Sequence, residues 1–211
     1  WGEKIDDDYG DNYRAAGAAR VMDVAFEHPI RMIVNALGVP PQYMLTQAHA
    51  KGILVGALTG AKRHALKHAE AGVDVLVTSG TEAGGHCGEV STMVLIPEVV
   101  EAMASYPDVH VLAAGGIATG RQMAACMAMG AAGVWAGSVW LTTTEAETIP
   151  TVKEKMLAAG SRDTVRSRSR TGKPTRQLRS TWTDAWHADA APEALPMPLQ
   201  VVLLGHPILQ T

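Results

Sequence analysis

Residues 73–86 read VDVLVTSGTEAGGH, and the architecture can be reasoned from this one run and its end. Val73 to Ser79 is apolar and β-branched with almost no interruption. A strand with one wet face alternates apolar and polar side chains. A run without that alternation suits a strand buried on both faces, as in a parallel sheet flanked by helices. The run stops at Ser79, and three glycines, an acid and a histidine follow within seven residues. Bare main chain at the carboxyl end of a parallel strand is where α/β folds bind their ligands.

The same rhythm extends in both directions. IRMIVNALG and ILVGAL lie upstream, VHVLAAGG and AAGVWAGSVW downstream. Strands are expected at 30–37, 53–58, 73–79, 109–114 and 133–139. Helical stretches separate them, several closed by a glycine such as Gly52, Gly72 or Gly130. A spacing of about twenty to thirty residues per unit is what βαβ geometry requires. Two architectures fit, an open doubly wound sheet and part of a (β/α)8 TIM barrel. A whole barrel takes ~250 residues, so on the barrel reading three N-terminal units are expected outside this chain. Residues 1–150 then form the last five βα units, with 1–17 a polar, acidic loop. Residues 151–211 form an extension packed on the barrel. Its arginine-, threonine- and proline-rich part is read as an irregular surface excursion, ending in the apolar tail LQVVLLGHPILQT.

Composition narrows the classes of function. With 211 residues, 47% of them hydrophobic, the chain can bury one sizeable core. A net charge of −3 argues against nucleic acid or an anionic membrane as partner. No apolar run is long enough to span a bilayer, and no signal peptide is evident. The two cysteines, Cys87 and Cys126, have no metal-like spacing and read as reduced thiols of a cytoplasmic protein. His64 and His68 stand four apart on a helix without a third ligand. With His49 they are read as a solvated face rather than a metal site. The basic run Arg166, Arg168, Arg170, Lys173, Arg176 and Arg179 is likewise read as solvated, a polyanionic substrate tail such as coenzyme A being the alternative.

Three strand ends carry the chemistry. In AAGGIATGRQ, Gly115 and Gly116 let backbone amides approach a ligand, and a helix opening near Thr119 favours an anion there. The next strand end offers Gly137 and Ser138. Two consecutive ends of this kind resemble a barrel phosphate site; glycines serving tight turns are the plainer alternative. In the opening stretch, Glu82, Gly84 and Gly85 make a loop with little bulk, on which a planar ring can rest. His86 then stands at the rim, where an imidazole moves protons near neutral pH. There is no P-loop motif, and the dinucleotide fingerprint lacks its acidic residue.

With these residues in hand, the chain resembles the nitronate monooxygenase (2-nitropropane dioxygenase) family. The resemblance rests on GTEAGGHCGEVSTMVLIPEVV, on VLAAGGIATGRQMAACMAMGAAGVWAGSVWLTT and on VRSRSRTGKPTRQLRSTWTDAW, in that order. It implies an FMN-dependent TIM barrel. It implies that Gly115, Gly116, Gly137 and Ser138 hold the FMN phosphate, that Ser79, Gly80, Gly84 and Gly85 line the flavin, and that His86 faces the ring. The implied reaction oxidises alkyl nitronates with O2 to a carbonyl compound and nitrite. An enoyl-thioester reductase using NAD(P)H is the alternative on the same fold, and a non-catalytic barrel subunit the alternative of another class. The partners implied are a small-molecule substrate, a nitronate or enoyl thioester, with room for a homo-oligomer. Cys87 stands where members often carry arginine or threonine.

Overall fold

The computed structural model describes residues 15–197 and 199–208. In chain order they form α1 (Ala15–Ala25), β1 (Met32–Asn35), α2 (Gln42–Ala50), β2 (Leu54–Thr59), α3 (Lys62–Glu70), β3 (Val75–Ser79) and β4 (Gly85–His86). There follow α4 (Thr92–Ala102), β5 (His110–Ala114), α5 (Gly120–Ala128), β6 (Gly133–Trp135) and α6 (Pro150–Ala158). The chain continues through β7 (Thr164–Ser167), β8 (Thr175–Leu178), α7 (Thr181–Trp186) and α8 (Leu199–Ile208).

Five strands make one sheet in the order β1-β2-β3-β5-β6, and each neighbouring pair is parallel. Spatial order therefore follows chain order. A doubly wound sheet reverses at a switch point, whereas a barrel winds one way throughout. The open alternative is excluded, and the chain forms five consecutive βα units of a (β/α)8 barrel.

One-way winding follows from right-handed crossovers, which set every connecting helix on the same face of the sheet. On that face Val55, Ala57, Leu76 and Val111 pack with Met44, Leu45 and Ala48 of α2, Ala65 and Ala69 of α3, and Leu95 and Val99 of α4. Truncating a fully buried leucine here to alanine costs about 2–5 kcal/mol, from lost transfer energy and the cavity left behind. The register places Met32 beside Leu54, Leu58 beside Val77, and Ala114 beside Trp135 on the opposite face. Leu54, Leu58 and Trp135 are 47%, 38% and 39% exposed. This is the face that a barrel turns to its interior.

Each expected strand is present, with trimmed or shifted ends. At 133–139 the trimming falls all at one end, where β6 stops at Trp135. The Trp140 indole donates to Ala136 O at 2.9 Å, and its backbone amide to Gly137 O at 3.0 Å, winding Ser138–Thr142 into a 3-10 turn. At the amino end, α1 begins at Ala15, inside the expected loop; residues 1–14 of that loop lie outside the described residues.

The extension departs most from expectation. It is regular over much of its length: β7 and β8 form an antiparallel hairpin, and β8 also pairs with β4. The result is a three-stranded sheet, β4-β8-β7, standing beside the barrel strands. The buried positions of β7 and β8, Ser167 and Thr175, are small and polar, so the hairpin shows no apolar alternation. Among the described residues, no helix is long and apolar enough to cross a membrane.

Candidate active site

The loop after β3 is held at four points. The Gly80 amide donates to Ala114 O at 3.2 Å, tying the tips of β3 and β5 together. The Thr81 amide donates to Val90 O at 2.9 Å. Glu82 Oε2 accepts from the Thr92 amide at 2.9 Å and from Thr92 Oγ1 at 2.8 Å. Ser91, the residue before α4, makes no side-chain cap of its own. Glu82 thus caps α4 from the neighbouring loop, where a carboxylate meets the positive end of the helix dipole. Arg176 of β8 supplies the fourth tie, with Nε donating to Thr81 O at 2.8 Å and Nη1 to Thr164 Oγ1 at 3.1 Å. Burial raises the Glu82 carboxyl, but the bonds from Thr92 and the Arg176 charge outweigh it and leave the group below its ordinary value.

The glycines divide into two kinds. A Cβ at Gly80 would run into Thr92, and one at Gly84 into Ser138 Oγ. Gly115, at φ +102, would place a Cβ 3.1 Å from Ala83 N and from Thr92 Oγ1, and Gly116, at φ +71, one 3.0 Å from Glu82 Cβ. These four are small because the tips of β3, β5 and β6 pack on one another. Around Gly85 and Gly137, by contrast, no heavy atom stands within 4 Å of a Cβ position. Ser79 lies beside Ala114 in the register, and Ala114 beside Trp135, all on the inner face.

At the start of α5, some of the amides expected to be open to an anion are bonded within the chain. Thr119 and Gln122 form a capping box, with Gln122 Oε1 accepting from the amides of Ala118 at 2.9 Å and Thr119 at 3.0 Å. Gln122 N in turn donates to Thr119 Oγ1 at 3.3 Å, and Gln122 Nε2 to Gly116 O at 2.8 Å. Three amides of the helix entrance therefore already have partners.

His86 closes β4, opposite Thr175 of β8. Its Nε2 lies 2.8 Å from Thr171 Oγ1, in the turn between β7 and β8. Partial burial of the ring, then the charges of Lys173 and Arg170, hold the imidazole below its ordinary histidine value. The neutral form therefore prevails at pH 7.

Of the sequence-predicted positions, Gly84 meets Ser138, Gly80 and Gly115 both meet Thr92, Ser79 pairs with Ala114 beside Gly115, and Gly85 and His86 pair with Arg176 and Thr175 of β8. The profile of the nitronate monooxygenase family matches residues 3–204. The chain belongs to the nitronate monooxygenase family. It is 59% identical over 194 residues to Rv1533 of Mycobacterium tuberculosis, a monooxygenase by name only, with 92% of this chain and 51% of that protein covered. It is 39% identical over 175 residues to a hydroxy-methyl-oxo-octahydroindene carboxyl-CoA dehydrogenase of Rhodococcus jostii, covering 82% of this chain and 48% of the relative. Among solved structures, the nitroalkane oxidase of Streptomyces ansochromogenes superposes with a TM-score of 0.78 at 28% identity, over 90% of this chain and 56% of that one. The chain spans about half the length of the relatives it matches.

Within this family member, one reading of the sequence is revised. His68 is 3% exposed and buried against the barrel, whereas His64 and His49 are exposed as expected, His49 Nε2 lying 2.9 Å from Asp74 Oδ2. The basic run is mostly exposed, as read, and some of its members are also tied to the fold: Arg168 Nε donates to Gly172 O at 2.8 Å, Arg179 pairs with Asp184 and Arg166 with Glu89. Sequence reasoning passed over Thr92 and Thr171, because a threonine in a polar segment carries no local mark of its partner. Among the described residues no group of three or more His, Cys, Asp or Glu could hold a metal ion.

Proposed function

We propose that this chain supplies the flavin-binding strand tips and the proton-handling residue of an FMN-dependent oxidoreductase that oxidises alkyl nitronates with O2 to a carbonyl compound and nitrite. The observation that carries the reading is the junction of three strand tips, Gly84 against Ser138 and Gly116 against Glu82, with His86 two residues beyond Gly84. The residues fit the cofactor's chemistry. Gly85 and Gly137 each have open space where a Cβ would stand, so a flat ring or a phosphate can approach the main chain there. Bound FMN would supply the electron-transfer chemistry. Gly115, Gly116, Gly137 and Ser138 are assigned to its phosphate, and Ser79, Gly84 and Gly85 to its ring. Gly80 serves the same wall by letting the loop close on Thr92, since its own amide is used by Ala114. His86, neutral at pH 7, holds the nitro oxygens of the substrate or takes the α-proton of a neutral nitroalkane.

The division into barrel units up to about residue 150 and an extension beyond belongs to the same proposal, as does a cytoplasmic location, which the two free cysteines support. The test is one purified sample. A flavin band near ~450 nm together with nitrite released from an alkyl nitronate is expected. A colourless protein that releases no nitrite overturns the reading in favour of a non-catalytic subunit.

A second reading has a specific observation behind it. Arg170 and Lys173 stand close enough to lower the basicity of His86, so the mouth of the site is cationic. A coenzyme A or carrier-linked thioester would meet those charges, and the Rhodococcus jostii relative is by name a CoA-thioester dehydrogenase. NAD(P)H consumption with an enoyl thioester, without nitrite from nitronates, would select it.

A further inference from the structure

The turn between β7 and β8 enters the site from the extension, and its construction is unusually complete. Gly172 at its centre has φ +81, and a Cβ there would collide with Leu195 O and stand 2.8 Å from Met197 N. The Gly172 amide donates to Arg168 O at 2.9 Å, and Gly172 O accepts from Arg168 Nε at 2.8 Å. Ser169, 1% exposed, accepts at its carbonyl from Gln200 Nε2 at 2.8 Å, while Gln200 Oε1 accepts from the Leu195 amide at 2.9 Å. Gln200 itself is fully buried. Two bonds of one buried amide side chain thus hold the turn against the segment behind it, and fix where Thr171 stands.

Thr171 Oγ1 has four neighbours within hydrogen-bond reach. They are His86 Nε2 at 2.8 Å, the Lys173 amide at 3.3 Å, Lys173 O at 3.3 Å and Thr175 Oγ1 at 3.4 Å. A hydroxyl has one proton to give and two lone pairs to receive with. The amide of Lys173 can only donate and its carbonyl can only accept. If Thr171 gives its proton to Lys173 O, it receives from the Lys173 amide and from His86, and its full complement is used. Thr175 adds its own donation to the same carbonyl at 3.1 Å.

We infer that Thr171 is a positioning residue for His86: it accepts the Nε2 proton, locks the imidazole in the Nε2–H tautomer and leaves Nδ1 bare as the basic atom of the site. The chain runs His86 Nε2–H to Thr171 Oγ1–H to Lys173 O, all donors pointing one way. It is the arrangement by which a neighbouring group fixes which imidazole nitrogen reacts. The inference rests on the assignment of His86 as the proton-handling residue, but its test does not.

The test uses the full-length protein labelled with 15N-histidine, the His86→Asn variant serving to assign the His86 ring among the eight histidines. At pH 7.5, the wild type should show a protonated Nε2 and an unprotonated Nδ1 for His86. In Thr171→Val, which keeps the branched shape and loses the hydroxyl, the two nitrogens should move toward a tautomer mixture. Thr171→Ser should restore the wild-type pattern. FMN affinity should stay within about twofold in each variant, while nitrite release in Thr171→Val falls about tenfold in kcat with KM unchanged, an outcome in line with a misplaced general base. A wild type with Nδ1–H, or a Thr171→Val pattern equal to wild type, overturns the inference, and the first of these needs no variant to fold. Absence of flavin and nitrite with the tautomer as expected would overturn the proposed function and leave this inference standing.

Discussion

Replacing Glu82 with alanine removes the carboxylate that caps α4 and ties it to the loop after β3. The two bonds it accepts from Thr92, at 2.9 and 2.8 Å, end on the same oxygen. Loss of a helix cap costs about 1–2 kcal/mol. In a chain of 211 residues, each kcal/mol moves the midpoint by about 2–4 °C. Glu82→Ala should therefore lower Tm by about 2–8 °C. Glu82→Gln can still offer an oxygen to Thr92 and forfeits chiefly the charge at the helix end, about 0.3–1 kcal/mol. Thr92→Val keeps the backbone donor and loses the hydroxyl, for about 1 kcal/mol. The expected order of loss is Glu82→Ala, then Thr92→Val, then Glu82→Gln, read by thermal and urea unfolding monitored by circular dichroism. The pH dependence has a definite sign. The folded carboxyl lies below its unfolded value, so its contribution is present above pH ~4.5 and disappears as the pH falls through the folded value. Wild type should thus lose stability on acidification more steeply than Glu82→Gln. An unchanged Tm in Glu82→Ala, or parallel acid curves for wild type and Glu82→Gln, would refute the idea that Glu82 caps α4.

Other outcomes follow from the same geometry. His86→Asn should cut turnover about 10²- to 10⁴-fold, the range for a general base, while equilibrium dialysis finds FMN affinity little changed; equal loss of both would remove the assigned role. Arg170→Gln and Lys173→Gln each take away a charge that depresses the imidazole, so the folded value rises toward 6.5 and the acid limb of the kcat/KM profile should move to higher pH. Gly80→Ala drives a methyl into Thr92 and should destabilise the protein by about 1–3 kcal/mol or more. Gly137→Ala, with open space and a φ of −119°, should keep Tm and weaken FMN binding, as fluorescence titration would show.

The barrel was legible because its signal is local. A strand buried on both faces must be apolar at successive positions, and Val75 to Val77 satisfy this without knowledge of what covers them. Glycine is equally plain: Gly72, at φ +94, marks a backbone shape that other residues take only with strain. Hydrophobic periodicity also places α2 through α4, whose inward residues recur at helical spacing. The extension was not legible. Its strands are built from serine, threonine and arginine, and their stability comes from pairing with Gly85 and His86, some ninety residues upstream.

At the site the division is similar. The chain's own order of residues established that parallel strands end in bare main chain, that a histidine follows one of those ends, and which family shares the pattern. Folding alone settled that Gly80, Gly84, Gly115 and Gly116 are small because strand tips press on each other, while Gly85 and Gly137 stay open. Folding also settled that Glu82 caps a helix and that Thr171 meets His86 across eighty-five residues. The physical reason is range. Backbone preference and burial periodicity act within a few residues and leave their mark there, whereas the partner of a polar side chain depends on which distant segment the packed core brings beside it.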